Sequence, residues 1–591
     1  MSSTPIRIAN FSGYLGDRYT AIDEVLAGDP VDVIIGDYLA EITLAGLVAE
    51  HRHNHDGGYV RSFVEQLRPN LAEIARRGMK VVTNAGGFNP AGLAAALRRE
   101  IGDAGLKLRV AHVEGDNVLA DLPALLAAGH RFEHLDTGRP LSSWDVEPMT
   151  ANAYLGGWGI AAALSGGADI VVCGRVSDAS LVLGPAAWWH GWAPTDWDAV
   201  AGGVVAGHII ECGPQAVGGN FSGFTEIPGM LVPGFPIAEV AADGTSVITK
   251  HTADGGAVTV DTVTAQLVYE IQGPRYLNSD VTVHLDDVRL AQLGPDRVAV
   301  SGVIGSPPPP TTKVAVFGQI GYSSVNTVYV TGLQVSEKID LLRAQVTRDL
   351  PVGVEVEFTR IGEVGADPDT QWDATVALRV MAVAKDMEAL REFDSAARLR
   401  CLYLQSIPGF FTDGASILQS TLNPRIDYWP ALLPVTAVPH RVVFADGRQL
   451  DIAPATQFEA PSQPVHDEPR TTHRAADVRQ VPLGTVAYAR SGDKGGNSNL
   501  GIWTPDPRAW EWLRDYLSTD QLRLLMPEAK DLEIIRHEFP NLRAVHFVLR
   551  GLLGTGGSAN LRVDQVGKAV GEFVRTKYVP VPEELLTQEA N

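Results

Sequence analysis

The sequence predicts an α/β protein built from four successive parts. Over residues 1–245, short β-branched runs alternate with helical patterns, which is typical of crossover units around a buried, mostly parallel sheet. Over residues 246–452, strand-like runs dominate, which indicates an α+β region that completes the main domain. Four prolines mark residues 453–480 as an interdomain linker, and residues 481–591 are long enough for a small α/β sandwich domain.

The first part supplies the parallel sheet. Residues 62–77 carry apolar side chains at three- and four-residue spacing, which predicts a helix with one buried face. Further helices are expected at 90–101 and 152–164. The strands are expected at residues 6–10, 31–37, 79–84, 106–113 and 168–174. This alternation predicts a Rossmann-like, doubly wound sheet with helices on both faces and a ligand site at the carboxyl ends of its strands.

The later parts are richer in strands. One helix is expected at 335–348, and β-branched or alternating runs predict strands at 258–271, 280–288, 296–305, 313–322 and 354–362. The last part shows strand patterns at 485–490 and 499–504, separated by a glycine-rich turn, and a final helix at 563–575. No internal repeat is evident.

Composition limits the partners. The 591 residues contain 48 Lys and Arg against 70 Asp and Glu, a formal net charge of −22. Such acidity argues against a nucleic-acid or anionic-membrane partner, since both need dense positive fields. A local basic pocket for a small anionic metabolite remains compatible with it. A chain of this length is also expected to form a homo-oligomer, although the sequence fixes no symmetry.

The expected compartment is the cytoplasm. The first residues show no secretory signal pattern, and no apolar run is long enough for a membrane span. The three cysteines, Cys173, Cys212 and Cys401, lie far apart and form neither a disulfide framework nor a CxxC metal pair.

Glycine is enriched, with 60 residues, and many glycines follow the expected strands. The five strand ends read NFSGYLGD, IIGDY, TNAGGFNP, VEGDN and VVCGRVSD. One interpretation is a set of tight turns capped by Asp and Asn; the other, which we favour, is one shared ligand crevice. In the third segment, Asn84, Gly86, Gly87 and Asn89 would cradle an anion at a helix start. TNAGGFNP matches neither GxGxxG nor GxxxxGK[ST], and NFSGYLGD has the wrong glycine spacing, so a nicotinamide cofactor is not favoured.

Charged residues near these turns are candidates for chemistry. Arg175 follows an apolar strand and is suited to bind a carboxylate or phosphate, and Asp178 would act as a base, orient a ligand or simply pair with Arg175. Asp116, at another strand end, would orient water or a hydroxyl. Cys173 lies inside the apolar strand and is interpreted as a buried hydrophobic residue.

A helix end at 206–213 carries the expected proton-transfer pair. Glu211 and Cys212 follow His208 by three and four positions, which places all three on one helical face. His208 with Glu211 would perform acid/base work, the carboxylate raising the basicity of the imidazole; an activated Cys212 thiol or a structural role are the alternatives. Gly218, Gly219 and Asn220 follow as a second loop that a substrate would approach closely.

Two further patterns concern metals and anions. HRHNHD at 51–56 lacks the HExxH spacing and is interpreted as a solvated helix end, so no metal site is assigned. In ARSGDKGGNSN, residues Arg490, Ser491, Asp493 and Lys494 form an expected anion-binding loop, with an exposed hairpin as the alternative. GTGGSAN at 554–560 is a second candidate anion loop.

Taken together, the motifs resemble the acyclic terpene utilisation (AtuA-like) family. The matching segments are GDYLAE, TNAGGFNPAGL, ANAYLGGWGI, ADIVVCGRVSDASL, GHIIECG, QAVGGNF and YEIQGPRYLNSDV. ARSGDKGGNSNLG resembles the ferredoxin-fold-like C-terminal module often fused to that family. The resemblance implies a cytoplasmic, enzyme-like protein associated in some members with breakdown of branched terpenoids through acyl-CoA intermediates. It carries no agreed catalytic residues.

The leading hypothesis is a lyase acting on a branched or hydroxylated acyl-CoA or carboxylate, by hydration, dehydration or retro-aldol cleavage. His208 and Glu211 would move the proton, Asp178 or Asp116 would orient water, and Arg175 with the 84–89 loop would hold the anion. The Arg490–Lys494 loop would contact a CoA phosphate or a neighbouring subunit's site. No resident cofactor is implied beyond a CoA thioester as substrate. Two alternatives are a non-catalytic acyl-CoA-binding scaffold and a metal-assisted hydrolase using Asp17, Asp37, Asp116 and Asp178.

Overall fold

The structure is a computed structural model that describes residues 4–403, 405–412, 421–469, 477–557 and 559–586. Part of the expected linker, residues 470–476, and Ser558 of the 554–560 segment lie outside the described residues. Within the described part, no helix is both long and apolar enough to cross a bilayer.

The first part of the chain alternates strands and helices as expected. The strands are β1 (Ile6–Ser12), β2 (Val33–Gly36), β3 (Lys80–Thr83), β4 (Val110–Glu114), β5 (Pro148–Ala153), β6 (Ile170–Cys173) and β7 (Pro236–Val240). The helices are α1 (Ala21–Ala27), α2 (Glu41–His53), α3 (Arg61–Leu67), α4 (Leu71–Arg77), α5 (Pro90–Asp103), α6 (Leu122–Ala127), α7 (Trp158–Ser165), α8 (Ser180–His190) and α9 (Trp197–Ile210).

The middle part is strand-rich. Its strands are β8 (Ser246–Lys250), β9 (Arg275–Leu277), β10 (Thr282–His284), β11 (Arg289–Gly294), β12 (Arg297–Ser301), β13 (Ile304–Ser306), β14 (Thr311–Thr331), β15 (Glu355–Ile361), β16 (Thr375–Ala384), β17 (Phe410–Phe411), β18 (Asn423–Pro434), β19 (Arg441–Val443) and β20 (Gln449–Asp451). Its helices are α10 (Val260–Leu267), α11 (Val335–Val346), α12 (Met387–Phe393) and α13 (Ser395–Leu402).

The last part forms a small α/β unit. Its strands are β21 (Val478–Pro482), β22 (Tyr488–Lys494), β23 (Asn497–Trp503), β24 (Ile534–Phe539), β25 (Ala544–Leu549) and β26 (Tyr578–Pro582), and its helices are α14 (Trp510–Tyr516), α15 (Thr519–Leu525) and α16 (Val570–Arg575). Four of the strands pair antiparallel in the order β22-β23-β25-β24.

The α/β class is confirmed, and the large sheet is mixed. Its centre is parallel in the order β1-β2-β3-β6-β4. Antiparallel strands extend both edges: β7-β8-β12-β11 continue from β1, and β19-β20 continue from β4. One core lies between the sheet and α1, α3, α4 and α5, and another between the sheet and α7, α8 and α9. Helices therefore cover both faces, and strands from the middle part complete this sheet.

Several sequence-based assignments are wrong in detail: the helix expected at 62–77 is the two helices α3 and α4, and the final helix expected at 563–575 begins only at Val570. Two further differences have a clear local cause. The strand expected at 258–271 is largely helix α10, because Thr259 and Thr262 form a reciprocal capping box at its start. The helix expected at 152–164 begins only at Trp158, after Gly156 and Gly157. The residues before it form β5, which pairs with the long strand β14. In both places, local capping and glycine chemistry outweigh the apolar pattern.

The last part packs on the main body through one face of its sheet. Along β23, Leu500 and Ile502 face the core beneath α14, α15 and α16, whereas Trp503 joins the main core. A Cβ at Gly501 would come within 2.5 Å of Val268 Cγ2, so the main body approaches this face closely. Strand alternation thus gives the small unit one helix-covered face and one docking face.

Candidate active site

The parallel strand ends bring together residues from distant segments. Asp37 follows β2 and Asn84 follows β3. Asn84 Nδ2 donates to Asp37 Oδ1 at 2.6 Å, and the Tyr38 N–H donates to Asn84 Oδ1 at 2.8 Å. Asn84 is therefore a fixed support for the Asp37 carboxyl rather than a free donor.

Arg175 lies at the centre of the arrangement and is 2 % exposed. Its Nη2 lies 2.9 Å from Asp178 Oδ1, and its Nη1 donates to the Leu39 carbonyl. The guanidinium carbon stands 4.1 Å from the centre of the Tyr154 ring. These contacts hold Asp178 in place, and they give the buried cation a partner on three sides.

Asp116 contacts the backbone of the turn that follows β6 and carries Arg175. Its Oδ2 accepts hydrogen bonds from Asn152 Nδ2 and from the Arg175 N–H, both at 2.8 Å. Burial raises the pKa of Asp116 to about 6. The carboxyl thus positions the backbone of Arg175 and does not line the cavity described below.

Gly174 shows why a glycine stands at this strand end. A Cβ there would lie 2.6 Å from Asp116 Oδ1, closer than real Cβ contacts occur. Gly86 is similar, since its Cβ would meet the Cys173 carbonyl oxygen at 2.4 Å. Both positions need close approach between protein segments.

We expect Gly174→Ala to lower the free energy of unfolding by about 1–3 kcal/mol, because the new methyl group displaces the Asp116 carboxyl. Gly102→Ala is the matched control: nothing lies within 4 Å of a Cβ on this glycine of α5. Alanine there should stabilise by about 0.5–1 kcal/mol. Chemical denaturation of the two variants measures the difference, and an equal effect of both substitutions would contradict the steric explanation.

His208 and Glu211 meet at the end of α9. His208 Nδ1 lies 3.4 Å from Glu211 Oε1, and both side chains are buried. Burial lowers the pKa of His208 to about 4, and burial, with Asp178 and Glu270 nearby, raises the pKa of Glu211. The expectation that the carboxylate makes the imidazole more basic therefore has the opposite sign here, since desolvation is the larger effect.

Further groups share this buried environment. Burial, reinforced by Asp178 and Glu211, raises the pKa of Asp37. Burial likewise raises the pKa of Cys212, and the nearby carboxyls add to this, which is the reverse of an activated thiol. Three carboxyls and one arginine thus interact in one desolvated cluster, and their protonation is linked.

A cavity of about 240 Å³ opens in front of this cluster. Asp178 and Tyr276 line it, and the Tyr276 ring lies 4.9 Å from the His208 ring. His208, Glu211 and Arg175 are not among its lining residues, so they stand one layer behind its wall. Asp178, a member of the cluster, and Tyr276, which packs beside His208, form the part of the cavity wall next to the cluster.

The cavity combines positive charge with apolar walls. Its cations come from three parts of the chain: Lys313 in β14, Lys494 in β22, and Arg275 in β9, whose guanidinium also pairs with Asp286. Leucine and proline side chains form much of the remaining wall: Leu135, Leu277, Pro309, Pro430, Leu432 and Pro461. Such a cavity suits an anionic molecule that carries an aliphatic group.

The small C-terminal unit contributes Lys494 to this cavity. Asn497, which pairs with Lys494 across the tight turn of this hairpin, donates to Asp136 Oδ1 of the main body at 2.7 Å. Asp136 is also a lining residue. This hydrogen bond holds the hairpin against a residue of the cavity lining, so the main body and the C-terminal unit both contribute residues to the cavity.

The other residues of the C-terminal loop make contacts inside the protein. Arg490 donates to Gln215 and to the Asn220 carbonyl, and its guanidinium lies 4.1 Å from the Tyr269 ring centre. Ser491 Oγ donates to the Lys568 carbonyl. Asp493 stands opposite Ser498 in the β22–β23 pair. Their assignment to substrate binding stays a prediction.

The remaining predicted loop residues do not line the cavity. Asn89 caps α5 by accepting from the Gly92 N–H, and Gly87 has a φ of +54° in the preceding turn. Gly218, Gly219 and Asn220 form the turn after the short 3-10 segment Gly213–Val217, beside the C-terminal unit. A ligand contact by these residues also stays a prediction.

The metal hypothesis finds no assembled ligand set. In the part of the chain that the structure describes, no group of three or more His, Cys, Asp or Glu side chains stands close enough to hold an ion. Asp17 instead accepts from the Gly13 and Arg18 N–H groups, and Asp116 is held by Asn152. His51, in the histidine-rich segment, packs against Phe88 near the end of α2.

Sequence reasoning missed Arg275, Tyr276 and Lys313. Arg275 and Tyr276 lie in the segment YEIQGPRYLNSDV, whose resemblance to a family motif was the available signal. Lys313 lies within a strand-like run and gave no signal, because only the pairing of β14 with β5 and β18 brings it to the cavity.

Comparison with known proteins agrees with this architecture. A family model described as acyclic terpene utilisation family protein AtuA matches residues 6–444. A second model, described as AtuA ferredoxin-like domain, matches residues 481–580, which contain the four-stranded antiparallel sheet. Neither the curated proteins nor the solved structures yield a match.

Proposed function

We propose a specific chemistry for this chain, which belongs to the acyclic terpene utilisation family AtuA and carries its ferredoxin-like domain. Membership implies a role in acyclic terpene utilisation. Within that role, we propose that the chain is a lyase acting on a branched or hydroxylated acyl-CoA or the corresponding carboxylate. The observation that carries the proposal is one cavity that combines the Asp178 carboxylate, three cations and an aliphatic wall.

The cations would bind the anionic part of the substrate and stabilise developing negative charge. Lys313 Nζ lies 4.8 Å from the Tyr154 ring centre and 5.4 Å from that of Tyr428, so aromatic faces hold the ammonium group at the cavity. An enolate formed next to a thioester or carboxylate would be stabilised by such preorganised charges.

Asp178 would exchange the proton. In a dehydration, it would take a proton from the carbon next to the carbonyl, and the departing hydroxyl would leave as water after receiving a proton. In a retro-aldol cleavage, it would take the hydroxyl proton while the carbon–carbon bond breaks and the enolate accepts the electron pair. Arg175 would position Asp178 for either step, and Tyr276, which lines the cavity beside His208, would donate the proton.

His208 and Glu211 would act from behind this wall. The pair is a neutral imidazole and a carboxyl of raised pKa, beside Tyr276 and under the influence of Asp178. We assign them the resetting of protonation states between turnovers, and Asp116 the placement of the Arg175 backbone. None of these three side chains needs to touch the substrate in this proposal.

A thermal-shift screen of the full chain tests the proposal. The panel contains CoA, short acyl-CoAs, 3-hydroxy-3-methyl acyl-CoAs with main chains of four to ten carbons, the matching free carboxylates, and dinucleotides. Ligand at about 100 times its Kd adds ~2.7 kcal/mol of stability, which gives a clear shift. We expect shifts with branched acyl-CoAs or their carboxylates and product formation by mass spectrometry. Binding without product would favour the scaffold alternative, and a response to dinucleotides alone would overturn the proposal.

A further inference from the structure

A second, smaller cavity of about 70 Å³ adjoins the first. Three residues line both cavities: Tyr154, Ser279 and Thr312. The Ser279 and Thr312 hydroxyls both donate to the Tyr154 carbonyl, at 2.8 and 2.7 Å. The two cavities therefore adjoin each other along these three residues.

Most residues that line the second cavity have apolar side chains, and polar atoms contribute almost as much of its surface as apolar atoms. Leu155, Trp158, Val438, Ile452 and Phe458 line much of it. Asp280 and His440 are also present; the Gly157 N–H donates to Asp280 at 2.7 Å. Burial raises the pKa of Asp280 to about 6 and lowers the pKa of His440 to about 4, as expected where charge is poorly solvated. Alkyl groups are the occupants that such surroundings favour.

One segment of chain covers both cavities. Residues 452–463, here called the strap, place Ile452, Ala453, Pro454, Ala455 and Phe458 against the second cavity and Pro461 against the first. The Glu459 N–H donates to the Pro308 carbonyl, and the Gln463 side chain pairs with both backbone groups of Arg275. The strap thus begins over the second cavity and ends at a cation of the first cavity.

We propose that the second cavity is a subsite for the short, branched alkyl end of a substrate whose anionic end lies in the first cavity. This inference rests on the proposed function and specifies its substrate. The cavity has about half the volume of a 150 Å³ protein cavity that binds benzene, so it has room for about three or four carbons. The strap would cover the ligand along its length.

Ala455→Leu tests the subsite, because Ala455 lies on the strap, outside regular secondary structure, and lines the second cavity. The probes are a ten-carbon acyl-CoA with methyl branches at C3 and C7, its free carboxylate, and butanoyl-CoA. Excluding each methylene costs about fourfold in affinity, at ~0.8 kcal/mol. We expect at least ~10-fold weaker binding of both ten-carbon probes by calorimetry and an unchanged affinity for butanoyl-CoA.

Thr456→Leu is the matched control, since Thr456 is the exposed neighbour on the strap and does not line the cavity. It should leave all affinities unchanged. If Ala455→Leu weakens the long and short probes equally, or neither, the subsite is wrong while the proposed function stands. If the wild-type chain binds none of the probes, the proposed function fails and the subsite with it.

Discussion

An Asp178→Asn variant is expected to lose at least ~100-fold in kcat on any acyl substrate that the wild-type chain converts. Asp178 belongs to the buried cluster and also lines the cavity, where 32 % of its side-chain surface is exposed. Proton transfer by a positioned side chain contributes about 10²–10⁴-fold to a rate. The amide keeps the shape of the carboxyl but cannot accept the proton, so ligand-induced thermal shifts should stay close to those of the wild-type chain.

His208→Gln is the informative comparison. Because His208 stands behind the cavity wall, its replacement should reduce kcat less than Asp178→Asn does. Asp103→Asn, at the end of α5, controls for the loss of one carboxylate elsewhere. Steady-state kinetics with circular dichroism of each variant decides between the assignments. A nearly active Asp178→Asn beside an inactive, folded His208→Gln would transfer the acid/base role to His208.

The sequence was sufficient to predict which strand-end residues of the candidate site lie close together. Parallel strands place their carboxyl ends at one edge, so Asp37, Asn84, Arg175 and Asp178 were expected to converge, and Arg175 and Asp178 do meet at 2.9 Å. The glycines near them were expected to admit a ligand. At Gly174 and Gly86, however, a Cβ would clash with atoms of other protein segments. A glycine at these strand ends therefore indicates close packing between segments as well as possible room for a ligand.

The rest of the site depends on pairings that no local pattern contains. Arg275 and Tyr276 arrive on the three-residue strand β9, and Lys313 on β14, whose 21 residues pair with four other strands. Lys494 arrives from a separate family module. Long-range strand pairing and domain docking decide these positions, and both are set by packing across hundreds of residues.

Burial also reverses a simple electrostatic expectation. A histidine beside a carboxylate is more basic in water, but His208 and Glu211 are both almost fully buried, and the pKa of His208 falls to about 4. Spacing along a helix predicted the pair correctly, since Nδ1 and Oε1 are 3.4 Å apart. Only the three-dimensional environment determines which protonation state that pair prefers.

An Arg175→Gln variant should lose about 3–5 kcal/mol of stability at pH 8 and clearly less at pH 5. Burial raises the pKa values of Asp37 and Glu211; Arg175 lowers the pKa of Asp37, and Lys494 and Arg175 both lower the pKa of Glu211. Removing one partner of a buried charge cluster leaves uncompensated charge, and that accounts for the expected magnitude.

The pH dependence follows from the direction of these shifts. Both carboxyls have a higher pKa in the folded chain than in the unfolded chain, so the folded state binds more protons above about pH 4, and stability falls as the pH rises. Without Arg175 their folded pKa values rise further, which extends this fall to higher pH.

Arg175→Lys keeps the charge and should recover most of the pH 8 loss. Unfolding of the three proteins at pH 5 and pH 8 measures this, and an equal loss for Arg175→Gln at both values would show that its hydrogen bonds to Leu39 and Asp178, not its charge, stabilise the cluster.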